Sequence, residues 1–378
     1  MRVAIFTDTF IPQVNGVAGN TGRLADALTK REIPCVILSP DTGYKSSRGY
    51  NVFFTRRFSF PAYPECKIAL PNYLKMCRQL DLFKPDLIHL ATQFSMGLCG
   101  LRYACSTNIP VISSYHTNFP QYLSYYRLAF LTPLVWKYFR WFHNKCLKNY
   151  CPSETTMKLL KENGIRNLDL CGSGVDIALF NPNKRSPAFI SKIGADNKTI
   201  LLYVGRLAKE KDMDMLMEAV RVLNNSFQDI CLVITGNGPL TKTLKRNAPE
   251  NVIFTGYLNG EELAEAYASS DIFVFPSTTE TYGNVILEAM ASGLPVVAPY
   301  SGGIQENLID KYNGLACRPR NYGDIVAAVT MLKENDQMRI TLGNQARTFA
   351  HKKSWDRILS GLITDYFELV ENNLRKLE

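Results

Sequence analysis

No stretch of this 378-residue chain approaches the ~18 consecutive apolar residues that a membrane-spanning helix needs. Its 10 cysteines include no C-x-x-C pair. That removes the usual zinc and redox spacings and points to reduced core thiols in a cytoplasmic protein. Histidine is scarce: His89, His116, His143 and His351 lie too far apart in sequence to suggest a metal cluster. Residues 1–7 lack the apolar region and cleavage site of a signal peptide and read as a first strand. There is no low-complexity segment and no short-period repeat. The most telling absence is local: neither Asp nor Glu occurs from residue 87 to residue 153.

What is present describes two globular domains. The length exceeds one ordinary core, and 46% hydrophobic with 20% charged residues excludes a disordered chain. The formal net charge of +9 favours anionic partners such as phosphates or acidic lipid. Short apolar runs at 3–6, 36–38, 87–90 and 111–114 alternate with helical patterns near 20–30, 70–83 and 95–106. A second series of runs follows at 199–204, 231–235, 252–255, 271–275 and 295–298. The rhythm predicts two α/β domains, each a parallel sheet covered by helices. Glycines and an Asn-Pro turn within 171–182 mark the join, and 355–377 reads as a long amphipathic helix.

The stretch 276–298 carries the sharpest signal. The run 271–275 delivers Glu280 into a loop, and Gly283 turns the backbone into a helix over 284–292. The helix start offers unpaired N–H groups and a positive dipole end, which suit a phosphate. Glu288 follows within the helix, where its carboxylate can accept from a vicinal diol such as a ribose. Glu280 can do the same for a second sugar. This phrase resembles the Glu-x7-Glu signature of the family-four retaining glycosyltransferases, matching it almost residue for residue through Ala298.

The resemblance covers nearly the whole chain and is strongest over 199–315. It implies the GT-B fold, an α/β architecture of two Rossmann-like domains facing a central cleft. Residues 1–172 plus about 356–378 would form the acceptor-side domain, and 173–355 the domain that binds the nucleotide sugar. Arg206 and Lys211 match the family's basic pair, which neutralises the departing diphosphate. Arg supplies a planar fork and Lys a mobile point charge. Glu280 and Glu288 would hold the sugar and ribose hydroxyls, with Gly283, Asn284 and Val285 at the helix start. Gly16 in the loop 8–19, with Pro12, Asn15 and Val17, looks like the family's glycine-rich loop. That loop is not G-x-G-x-x-G, so dinucleotide binding is a poor reading. His116, at a strand tip, matches a histidine near the reacting carbon. Gly236 lies in a G-x-G-P turn that shapes the pocket floor, and Tyr257 and Leu258 in the segment that reads the base. The turn Ser301-Gly302-Gly303 with Glu306 reads as structural. Asp212-Met213-Asp214 spells a D-x-D metal motif, but at a helix start N-terminal acids explain it better. No metal or other cofactor is implied, because the cations replace it.

Around the acid-free span, Arg127, Lys137, Arg140 and Lys145 alternate with aromatics that include Trp136 and Trp141. Thr132-Pro133 reads as an N-cap followed by proline at the first helical position. A helix whose charges are all basic and whose faces are aromatic suits an anionic membrane interface; it also suits an ordinary sheet-covering helix with snorkelling cations. Arg56, Arg57, Phe53, Phe54 and Phe58 form a second such cluster. The phrase 115–122 resembles the branch that glycosylates diacylglycerol and phosphatidylinositol. The expectation is therefore a transferase moving a hexose from a UDP- or GDP-sugar to a membrane lipid, peripheral on the inner face of the membrane, with no nucleic-acid partner. A soluble enzyme acting on a polysaccharide, protein or small metabolite is the alternative within the fold. A non-catalytic sugar-nucleotide or membrane-binding module is the alternative outside it.

Overall fold

The computed structural model describes residues 1–13, 15–41, 49–60 and 63–375, without the side chains of 57–60, 63–68 and 374. Val14 of the first loop, the side chains of Arg57 and Phe58, and Lys376 and Leu377 of the expected last helix lie outside the described residues. The chain divides into two compact units. One comprises Met1–Ser124, Leu128–Gly172 and Asp356–Glu378; the other comprises Tyr125–Arg127 and Ser173–Trp355.

The first unit contains strands β1 (Val3–Phe6), β2 (Cys35–Pro40), β3 (Asn51–Phe60), β4 (Tyr63–Leu70), β5 (Leu87–Leu90), β6 (Val111–Ser114), β7 (Lys148–Cys151) and β8 (Leu168–Leu170). Its helices are α1 (Gly16–Lys30), α2 (Tyr73–Phe83), α3 (Ser95–Thr107), α4 (Phe119–Tyr125), α5 (Thr132–His143) and α6 (Glu154–Glu162). The sheet order is β4-β3-β2-β1-β5-β6-β7-β8. All pairings are parallel except β3 with β4. Strands β1, β2 and β5 are buried on both faces, which is why they read as continuous apolar runs. Ala4, Phe6, Val36, Leu38, Ile88 and Leu90 pack on one side against Met76 and Leu80 of α2, Leu101 of α3 and Phe142 of α5.

Two expectations need correcting here. Residues 70–72 are not helical. Leu70 ends the antiparallel strand β4, and Asn72 caps α2 by accepting from Lys75 N at 3.0 Å. Strand β3, between β2 and the edge strand β4, mixes polar and apolar residues, so it lacks the signature of a buried parallel strand. Thr132 is not an N-cap either. A 3-10 turn over Ala129–Leu131 runs straight into α5, Thr132 is itself helical, and no side chain caps that end.

The second unit contains β9 (Thr199–Val204), β10 (Ile230–Thr235), β11 (Val252–Gly256), β12 (Ile272–Val274), β13 (Val296–Pro299) and β14 (Gly314–Cys317), ordered β11-β10-β9-β12-β13-β14 and all parallel. Helices α7 (Pro187–Lys192), α8 (Met213–Ser226), α9 (Thr241–Asn247), α10 (Gly260–Ala268), α11 (Asn284–Ala291), α12 (Tyr322–Glu334) and α13 (Asp336–His351) cover it. The last helix, α14 (Trp355–Leu374), belongs to the first unit from Asp356 onward. There Tyr366 is fully buried, and its hydroxyl lies 2.6 Å from His89 Nδ1 on β5. Lys148 reaches Asp365 at 2.9 Å from β7.

Candidate functional site

In a parallel sheet the loops that leave the strands' C-terminal ends gather along one crest, where open α/β sheets bind ligands. In the second unit these loops follow β9, β10, β12 and β13, and they interlock. Gly236 has φ 135°, and a Cβ there would sit 1.9 Å from Gly205 O; only glycine lets the two loops touch. Gly236 N donates to Gly256 O at 2.7 Å, and Tyr257, half exposed, has its hydroxyl 3.4 Å from Asn237 O. Leu258 follows it, partly buried.

The loop after β9 carries Arg206, Glu210 and Lys211. Burial lowers the Arg206 pKa, and the Glu210 carboxylate opposes that shift. Lys211 Nζ is ion-paired with Glu280, and each side chain is only 15% exposed. Sequence spacing of 69 residues gave no hint that these two groups meet in this way. The loops bearing them are stitched together beside the pair, through residues that precede Glu280. Thr279 Oγ1 donates to Glu210 O at 2.9 Å, and Ser277 Oγ lies 3.5 Å from the same carbonyl. Thr278 donates to Asp212 Oδ2 from both N, at 3.0 Å, and Oγ1, at 2.6 Å. Both acids of the D-x-D triplet lie at the start of α8, Asp212 at the residue before its first turn and Asp214 within it; the Asp212 carboxylate turns to Thr278 and does not cap the helix.

The turn after β13 braces the Glu280 loop. Gly303 N donates to Glu280 O at 2.7 Å, and a Cβ at Gly302 would lie 2.7 Å from that oxygen.

Gly283 (φ 78°) opens α11 in the left-handed region, and no side chain caps this helix. Asn284 and Val285 thus bring first-turn N–H groups to the crest without a capping acceptor. One turn later Glu288 is anchored by a group that sequence reasoning missed. The hydroxyl of the fully buried Tyr267 donates to Glu288 Oε2 at 3.0 Å. Burial, reinforced by that carboxylate, holds the Tyr267 pKa well above the ordinary phenol value. No motif in the sequence around Tyr267 marked it.

The first unit's crest is built differently. Asn15 caps α1 through its side chain, accepting from Ala18 N at 2.9 Å, and Gly16 begins the helix. Asp8, at the end of β1, accepts from Ser95 Oγ at 2.8 Å and Met96 N at 3.0 Å, tying the loop after β1 to the start of α3. Beyond β6, burial lowers the His116 pKa to about 4, so the ring is neutral at physiological pH. His89 is held at both ring nitrogens: Nε2 lies 2.7 Å from Ser114 Oγ, and Nδ1 meets Tyr366. Burial takes its pKa to about 3.

On α5 and the turn before it, Phe130 is 75% exposed, Leu134 64% and Trp141 48%, with Arg127, Lys137, Arg140 and Lys145 also exposed. Lys145 Nζ lies 5.7 Å from the Trp141 ring centroid. Trp136 departs from this set: it is half buried, edge-on to the core residue Phe139. Among the described residues no helix is long and apolar enough to cross a membrane, and no group of three or more His, Cys, Asp or Glu is placed to hold a metal ion.

Residues 186–349 match the family model described as Glycosyl transferases group 1, and residues 14–179 match Glycosyltransferase Family 4. A GDP-mannose-dependent alpha-mannosyltransferase of Mycobacterium tuberculosis is 31% identical over 372 residues, 97% of this chain and 96% of that protein. An alpha-monoglucosyldiacylglycerol synthase of Streptococcus pneumoniae is 30% identical over 328 residues, 83% of this chain and 74% of the relative. Among solved structures, HepE of Anabaena in complex with UDP-glucose shares the fold with a TM-score of 0.78, over 97% of this chain and 99% of that one, at 19% identity.

Proposed function

The chain belongs to the family-four glycosyltransferases, retaining enzymes of the GT-B fold that use nucleotide-sugar donors, and from that membership we propose that it moves a hexose from a UDP- or GDP-sugar to a hydroxyl of a membrane lipid such as diacylglycerol or phosphatidylinositol. One observation carries the donor half of this reading. Lys211 and Glu280 are paired on two loops of one crest, Glu288 is anchored on α11, and the uncapped start of that helix lies between the two glutamates in sequence.

Glu288 receives the ribose diol, its carboxylate already oriented by Tyr267. Arg206, Lys211 and the N–H groups near Gly283, Asn284 and Val285 receive the diphosphate. Negative charge grows on the departing phosphate oxygen as the glycosidic bond breaks, and fixed cations stabilise that charge most strongly in a site shielded from water. The Lys211–Glu280 pair keeps both charges compensated before the donor arrives. Sugar hydroxyls then engage Glu280, and phosphate engages Lys211. The acceptor hydroxyl attacks on the face that the diphosphate leaves, and the departing oxygen takes its proton. His116 is uncharged and supplies hydrogen bonding near the acceptor. The cations fill the place a metal takes in other transferases, so the reaction proceeds without one.

The exposed apolar and basic residues of α5 support a lipid acceptor, as does the diacylglycerol named in the streptococcal relative's activity. The enzyme would then work as a peripheral protein on the cytoplasmic face of the membrane.

A thermal-shift panel of UDP- and GDP-sugars tests the donor assignment. One nucleotide series should raise Tm in proportion to its occupancy. No shift with any member would refute it. Transfer of radiolabelled hexose to vesicles containing diacylglycerol or phosphatidylinositol tests the acceptor. Label recovered only in water-soluble products would assign the enzyme to a soluble acceptor instead.

A further inference from the structure

Asp212 occupies an unusual place. It is a non-glycine residue in the left-handed region, at φ 49° and ψ 38°, and its side chain does not cap the helix it opens. Such a conformation costs an L-residue free energy unless something holds it. Here the carboxylate, only 8% exposed, faces two partners. Oδ2 accepts both Thr278 bonds, and Oδ1 lies 3.6 Å from Arg320 Nε. The contact lies close in sequence to the ion pair: Lys211 directly precedes Asp212, and Glu280 lies two residues beyond Thr278. Together with the Ser277 and Thr279 contacts to Glu210 O, the Asp212 bonds fasten the two loops on one side of the Lys211–Glu280 pair.

We propose that Asp212 is a positioning residue for transfer. Its charge-assisted bonds to Thr278 set the distance and register between the Lys211 ammonium, which meets the departing diphosphate, and the Glu280 carboxylate, which meets the sugar. The proposal rests on the functional reading above. The second letter of the apparent metal motif, Met213, is buried in the core, consistent with a loop clasp and not a cation ligand.

The left-handed backbone makes a clean test available. In Asp212→Gly the backbone strain disappears while the clasp is lost, so stability and catalysis should separate. Tm should change little, because the relieved strain offsets part of the lost bonds, whereas turnover should fall about 10- to 100-fold, the scale expected when reacting groups are misplaced by an ångström or less. The donor KM should change little. Asp212→Asn tolerates the left-handed region and keeps one acceptor for Thr278, so it should recover most of the turnover. Asp212→Gly combined with Thr278→Val should cost no more than Asp212→Gly alone, because the hydroxyl bond that the valine removes is one of those already lost with the carboxylate. Hydrolysis of UDP-glucose and GDP-mannose provides the rate, and UDP and GDP binding is measured in parallel.

Wild-type turnover in Asp212→Gly overturns the proposal. So does a turnover loss matched by a fall in Tm, or an Asp212→Asn enzyme as impaired as the glycine variant. A wild-type protein that neither binds UDP or GDP nor hydrolyses either sugar nucleotide overturns the functional reading and this proposal together. An active wild type with an indifferent glycine variant overturns this proposal alone.

Discussion

The two parallel sheets end in crests of opposite electrical character. In the second unit the loops after β9 and β12 bring Arg206, Glu210, Lys211 and Glu280 into partly buried positions, where charges are matched in pairs. In the first unit the strand tips carry imidazoles that burial keeps neutral, His89 and His116. The exposed charges of α5 and the residues just after it, Lys137, Arg140 and Lys145, are all basic. The difference teaches what the proposed division of labour would require. A surface proposed to hold a diphosphate and stabilise its departure would need fixed cations with their counter-ions close by. One proposed to receive an alcohol would need hydrogen-bonding groups that do not attract anions.

The largest test of this contrast is Lys211→Met, which should lower kcat by about 10²- to 10³-fold, as removal of one transition-state donor typically does. A near-wild-type rate in donor hydrolysis would remove the charged crest from catalysis. Next comes Glu288→Ala, expected to weaken nucleoside diphosphate binding by about 10- to 150-fold, the value of a hydrogen bond to a charged group. Tyr267→Phe should follow it in the same direction by about tenfold or less, since the carboxylate stays and only its anchor goes. Unchanged affinity in calorimetric titration would sever Glu288 from the ribose. Smaller again is Lys137→Gln on α5, which should reduce affinity for anionic vesicles about fivefold, near 1 kcal/mol for one surface cation, and leave binding to neutral vesicles alone. Equal losses on both vesicle types would mean that the helix reads no lipid charge.

The mildest test is pH. The folded-state pKa values of His89 (about 3) and His116 (about 4) lie below the ordinary histidine value near 6.5. Their contribution to stability is complete above about pH 6.5 and is lost as pH falls toward those folded values, because the unfolded chain takes up protons first. Tm should therefore decline between about pH 6.5 and 5, while kcat shows no histidine-dependent limb there. A bell-shaped rate profile centred on a pKa near 6.5 would mean that His116 titrates in the working enzyme.

The parallel-sheet frame was legible because strands buried on both faces leave unbroken apolar runs, as in β1, β5, β9 and β10. The β3–β4 pair was not, because an edge strand with one exposed side carries no such run. At the site, Arg206, Lys211, Glu280 and Glu288 stood out because a recognisable phrase surrounds each. Tyr267, Glu210 and the bond from Thr278 to Asp212 did not. Their partners come from other loops, and nothing in one-dimensional spacing announces which carbonyl or carboxylate a side chain will meet. The D-x-D triplet shows the converse hazard: its letters spell a metal motif, its place is a helix start, and the bonds from Thr278 to Asp212 were not legible in it.

The last helix completes a core that begins at Val3. Tyr366 closes over His89, and Lys148 waits for Asp365, so the sheet assembled from the earliest segments stays open along one side until α14 is available. During synthesis the later-encoded unit, Ser173–Trp355, has every one of its strands before that happens. The order of maturation should then run against the order of translation, with the middle of the polypeptide settling first and the opening segment remaining a client for chaperones until its closing helix emerges.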